Sequence, residues 1–222
     1  MNDLSVKNEI FERIRKGKPA SQPLPDVPMY PYEGDPEKGF IDRLIGFDGR
    51  AIKFKNREDA VKWLKDQPEL ASDKIIYSKV DEIPGNFGEN DLANLRDAEK
   101  IQTCVAESEL GVGETGSVWV TGECLGQPIC ALFSRRLFIF LDRNKLKGGI
   151  HEAYASLKLG ENQYGAFYSG PSATADIEAV RITGAQGPLG LTVLLYNCPD
   201  ASDPPELLIS PNADSSEWEK YL

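Results

Sequence analysis

Six prolines (Pro19, Pro23, Pro25, Pro28, Pro31 and Pro36) fall within the nineteen residues from Lys18 to Pro36. No helix propagates through such a stretch, because each ring fixes φ and removes an amide donor. The segment therefore reads as an extended linker. Ahead of it, Leu4 to Arg15 sets Leu4, Ile10, Phe11 and Ile14 near one helical face, with Lys and Glu opposite and Gly17 as a stop signal. The chain divides into an amphipathic arm with its Pro-rich linker, residues 1–36, and a body, residues 37–222, whose end after Pro199 is a polar extension. The arm's apolar stripe needs cover, and the linker can carry it onto the body or onto a second subunit, so an oligomer is one expectation.

After the linker, helical and strand-like runs alternate, which points to an α/β layer architecture, a sheet with flanking helices. Asp35 to Phe47 reads as a helix, Ala51 to Phe54 as a strand, and Asn56 to Gln67 as a helix capped by Asn56 and ended by Pro68. Further strands are expected at Lys74 to Tyr77, Thr103 to Glu107, Ser117 to Thr121, Leu137 to Leu141, Tyr164 to Ser169 and Leu191 to Tyr196, with a helix at Ile150 to Leu157.

Composition removes several function classes. Twenty-five basic against thirty-five acidic residues give a net charge of −10, which argues against a nucleic-acid partner, since phosphate contacts draw on clustered Lys and Arg. No apolar run approaches a membrane span, and the charged start lacks the layout of a secretory signal, so the expected location is the cytoplasm. Cys104, Cys124, Cys130 and Cys198 are scattered and His151 is the single histidine, so the chain is expected to build no metal site and to hold no cofactor of its own. It carries no GxSxG, Walker or HExxH motif. No catalytic residue is assigned, and whether the chain is an enzyme is left open.

Three glycine-containing segments can carry chemistry. Gly170, Pro171, Ser172, Ala173, Thr174, Ala175, Asp176, Ile177 and Glu178 follow a strand and lead toward an expected helical turn, where Gly170 permits a sharp bend and Ser172 or Thr174 can cap. An ordinary capped turn explains the same letters. Gly111 to Ser117, with Glu114, Thr115 and Gly116, can wrap an anion or form a β-turn with positive φ at Gly113 or Gly116. The turn from Gly184 to Pro188, with Gln186 and Gly187, suggests close backbone approach to a neighbouring loop.

Glu114 to Ser117, Ser169 to Glu178 and Gly184 to Pro188, in that order and spacing, resemble the LUD (lactate utilisation) domain family of the LutC/YkgG type. The likeness runs from about Thr103 to Tyr196, and its most specific part is the run from Gly170 to Glu178. It implies a fold similar to the NagB/RpiA/CoA-transferase group, and a role beside iron–sulfur subunits in oxidising lactate. Two positions depart from the family pattern: Gln186 stands where a histidine is usual, and Arg136 where a second one is. Glutamine hydrogen-bonds but moves no proton near neutral pH, whereas Arg136 can hold an anion.

The resulting expectation is a ligand site made by Glu114, Thr115, Gly116, Ser117, Arg136, Gly170, Ser172, Thr174, Asp176, Gln186 and Gly187, converging at the carboxyl ends of the strands. Its ligand is a small anion that also carries a hydroxyl. The competing reading is a non-catalytic assembly module for a redox complex, in which the glycine loops are structural.

Overall fold

The alternation of apolar residues along the longest strands decides the layering. In the computed structural model, which describes residues 3–23, 25, 26, 28, 30–157, 164–174, 182–184, 186–199 and 206–208, the elements are as follows in chain order. The arm is α1 (Asp3–Gly17); the body begins with α2 (Pro36–Gly46), β1 (Arg50–Lys53), α3 (Arg57–Lys65), α4 (Pro68–Ser72) and β2 (Ile76–Ser78). Next come β3 (Thr103–Glu107), β4 (Leu110–Val112), β5 (Ser117–Thr121), α5 (Gly122–Leu125), α6 (Pro128–Phe133) and β6 (Arg136–Asp142). The remainder comprises β7 (Leu146–Lys147), α7 (Ile150–Ser156), β8 (Gly165–Tyr168), β9 (Ala173–Thr174), β10 (Ile182–Thr183), β11 (Gly190–Tyr196) and β12 (Glu206–Leu208).

The main sheet has the order β12-β1-β11-β6-β3-β2 and is parallel except for β12. Leu137, Ile139 and Leu141 of β6, with Leu191, Val193 and Leu195 of β11, point to one face and join Phe40 and Leu44 of α2, Leu125 of α5 and Cys130 of α6 in one core. Phe138, Phe140, Leu194 and Tyr196 point to the other face and meet Ala60, Val61 and Leu64 of α3. This is the double burial that a parallel sheet requires, and each large side chain removed from water contributes roughly 1.5–3 kcal/mol. A second sheet, β7-β4-β5-β8, covers a third cluster of Leu110, Val112, Trp119 and Ala153.

Local signals place the helices. Asp35 caps α2 through the amides of Glu37 and Lys38, with Pro36 in the first turn, and Asn56 caps α3 through Asp59 N–H. Tyr77 is buried, donates to the Leu125 carbonyl at 2.9 Å and accepts from Gln127 N–H at 3.1 Å, tying β2 to the α5–α6 turn.

The linker and arm behave differently from each other. Tyr32 packs against Gly148, Gly149 and Gly39, so the last part of the linker is fixed to the body. By contrast Val6, Ile10, Phe11 and Ile14 of α1 are 53%, 53%, 47% and 52% exposed, so the expected docking of the arm on its own body is not what the structure shows. Among the described residues no helix is long and apolar enough to cross a membrane.

Candidate functional site

Register fixes where the three glycine segments go. Gly190 of β11 lies opposite Arg136 of β6, which lies opposite Thr103 of β3, so the turn before β11 sits at the amino edge of the main sheet. The expected position at the carboxyl ends is therefore wrong for this turn. The segments reach one another from that edge because β8 delivers the chain beside β5 and the stretch after it doubles back through the β9–β10 pair.

Ser169 and Ser172 make the junctions. Ser169 Oγ donates to the carbonyls of Thr115 and Gly116 at 2.9 and 3.3 Å. Ser172 N–H donates to the Pro188 carbonyl at 2.9 Å, its carbonyl accepts from Gly184 N–H at 2.7 Å, and its hydroxyl accepts from Gln186 N–H at 3.3 Å. Between the two serines, Gly170 has φ +80°, and any Cβ there would strike the Phe47 carbonyl at the end of α2. A Cβ on Gly187 would come within 2.9 Å of Ser172 Cβ, so glycine alone lets the turn close on the serine.

Thr115, Gly116, Gly170, Ser172, Gln186 and Gly187 thus share one cluster. Ser117 joins from beneath, buried, with its hydroxyl paired to that of Thr115. Thr174 sits one step away in β9 opposite Ile182, so it is a strand residue rather than a helix cap. Asp176 lies outside the described residues.

Two expected members face elsewhere. Glu114 Oε2 accepts the Ile150 amide at 2.8 Å and so closes the first turn of α7. The Arg136 guanidinium pairs with the nearly buried carboxylate of Asp73 and bonds Thr103 Oγ1 at 3.3 Å. The residue before it is the one whose carbonyl accepts both Leu189 and Gly190 amides, and the Arg135 side chain is exposed there with no ion-pair partner among the described residues. Strand alternation separates the two arginines: one lies along β3 and the other adjoins the turn.

The amides of Ser172, Gly184 and Gln186 are all spent within the cluster. An incoming anion would therefore meet side chains, Gln186 and Arg135 being exposed, more than free backbone N–H groups. Ser169 lies within the resembling run but outside the expected ligand site; its signal was a serine beside a turn glycine, a residue type whose hydroxyl bonds nearby backbone.

The carboxyl edge carries denser charge. Arg57, at the start of α3, bonds Glu82 at 2.9 Å and Glu107 at 2.9 Å, and lies over the rings of Phe140 and Tyr196. Hydrogen bonding to Glu82 holds the Arg57 guanidinium pKa well above its ordinary value. Nearby, Glu37 pairs with Lys53 at 2.8 Å and with Arg143. Among the described residues no group of three or more His, Cys, Asp or Glu is arranged to hold a metal ion.

The LUD domain family matches residues 45–196, which contain the whole loop cluster. The chain belongs to the LUD domain family. Its LUD fold is similar to the crystal structure of a DUF162 family protein from Deinococcus radiodurans, with a TM-score of 0.54 and 11% identity, over 72% of this chain and 96% of that one. No curated protein matches the LUD chain.

Proposed function

We propose that this LUD-domain protein assists the oxidation of lactate or a related 2-hydroxy acid together with iron–sulfur subunits, and that it binds a small anionic ligand at the amino-edge loop cluster. The observation that carries the reading is the meeting of three loops, 114–117, 169–174 and 184–188, through Ser169 and Ser172. A carboxylate with a neighbouring hydroxyl suits the groups gathered there: Gln186 and Thr174 donate to and accept from the hydroxyl end, and Arg135 supplies the positive charge that Arg136 spends on Asp73. Glu114 and Ser117 hold the hairpin, Gly170 and Gly187 let the loops close, and Asp176 stays within the proposed site as an acceptor for a ligand hydroxyl. In this reading the chain brings no redox group, and the two electrons and two protons lost by the 2-hydroxy acid would be taken up by the iron–sulfur subunits and solvent.

A second reading, an assembly module without ligand, is favoured by one observation: the amides of Ser172, Gly184 and Gln186 are already used inside the protein. A thermal-shift screen of the purified chain with 2-hydroxy acids, other carboxylates, sugar phosphates and CoA esters separates the two. Stabilisation by a carboxylate that is lost in Arg135→Ala supports the ligand reading. Absence of any shift, with retained capture of an iron–sulfur subunit, supports the assembly reading.

A further inference from the structure

We infer that the amino-terminal arm docks on a second copy of this chain, laying its apolar stripe over the rim of the loop cluster, so that two copies exchange arms. Val6, Ile10 and Ile14 recur every fourth residue, with Phe11 three before Ile14, which makes one continuous stripe, about half exposed on its own chain. Described residues from Ser5 through Pro31 are all exposed, and Tyr32 packs against the body.

The body carries a matching surface. Ile182 is 48% exposed and stands opposite Thr174; Phe133 is 45% exposed and follows Leu132, whose carbonyl faces Gly187; and the exposed Phe47 abuts Gly170. These apolar side chains are gathered around the same three loops, where isolated exposure would need no explanation but clustering does.

Net charge favours the encounter. Residues 1–18 hold five basic and three acidic side chains, +2, and the other 204 residues hold twenty basic and thirty-two acidic, −12, so arm and body attract at long range, and the apolar stripe rather than charge seats the arm beside the exposed Arg135. The tether from Lys18 to Pro31 has fourteen residues, roughly 43 Å at about 3.1 Å per residue for an extended Pro-rich chain, long enough to reach a neighbouring body. Because each copy offers one arm and one rim, the exchange closes with twofold symmetry and leaves neither surface open.

The test is the solution mass of the full chain by light scattering. Wild type is expected at twice the chain mass. An arm variant, Ile10→Asp with Phe11→Asp, and a rim variant, Phe133→Asp with Ile182→Asp, are each expected at the mass of one chain, with unchanged circular dichroism because all four positions are exposed. Mixing the two variants is expected to restore a dimer, held by the one intact arm on the one intact rim. A monomeric wild type at the highest soluble concentration overturns the inference, and this includes the case of an arm folded back on its own body. It is equally overturned if the arm variant stays dimeric, or if the rim variant does, since the latter means that arms pair only with arms.

Discussion

Ser169 Oγ lies 2.9 Å from the carbonyl oxygen of Thr115, joining two loops that are 54 residues apart in the chain. The same hydroxyl reaches the Gly116 carbonyl at 3.3 Å. Ser169→Ala removes the donor and leaves both carbonyls to water. The expected loss is about 1 kcal/mol, the net value of one such bond. Urea denaturation checks this, and an unchanged midpoint would show that the bridge contributes nothing to holding the hairpin.

Gly170→Ala is expected to cost more. The backbone there has φ +80°, and the new Cβ meets the Phe47 carbonyl, so the turn after β8 must shift. Strain of this kind costs on the order of 1–3 kcal/mol. The thermal midpoint should fall by several degrees, and any ligand found by the screen should lose affinity in the same variant. Wild-type stability in Gly170→Ala would mean that the turn has room that the contacts exclude.

Tyr77→Phe tests the buried tie between β2 and the α5–α6 turn. The ring stays, but the Leu125 carbonyl loses its donor and the Gln127 amide loses its acceptor. The cost expected is roughly 1–3 kcal/mol, because both groups are left behind in a site closed to water. Burial also pushes the Tyr77 hydroxyl up to about 12. Chemical denaturation of the variant at neutral pH measures the effect.

Alkaline solution should destabilise the fold through its thiols. Burial raises Cys130 and Cys198 to about 11 and pushes Cys104 higher. An unfolded cysteine titrates near ~8.5, so above that pH the native state keeps protons that the unfolded chain has released. Stability from this source is complete below ~8.5 and is lost as pH rises toward the folded values. Urea midpoints taken from neutral to alkaline pH should fall, and less steeply in Cys198→Ala. Parallel slopes in the two proteins would assign the loss to other groups.

The layers were legible in the residues because burial leaves a period. Leu137 to Leu141 reads as a buried strand and is one, and the same holds for Leu191 to Tyr196. The α2 and α3 starts were legible from Asp35 and Asn56, since capping is local chemistry. The grouping of the glycine loops was legible as a motif, but their edge of the sheet was not, because it depends on how β6, β11 and β3 align. The same register separates Arg135 from Arg136: an anion-holding role fits either letter, and only the pairing with Asp73 and Thr103 withdraws the second. The β9–β10 pair was hidden because Ser172 and Thr174 look like helix caps, while the contact that makes Thr174 a strand residue comes from Ile182.

Helix α2 has eleven residues, about 16 Å at 1.5 Å per residue, and it is gripped at both ends. At its start Glu37 is held by Lys53 and Arg143, beside the carboxyl edge of the sheet. At its finish Leu44 and Phe47 bear on Gly116 and Gly170 of the loop cluster. Three turns of helix move as a rod, and packed interiors transmit displacement with little compression. Helix α2 is therefore one rigid element that touches both rims of the sheet, the loop cluster at Gly116 and Gly170 and the ion pairs of Glu37 with Lys53 and Arg143.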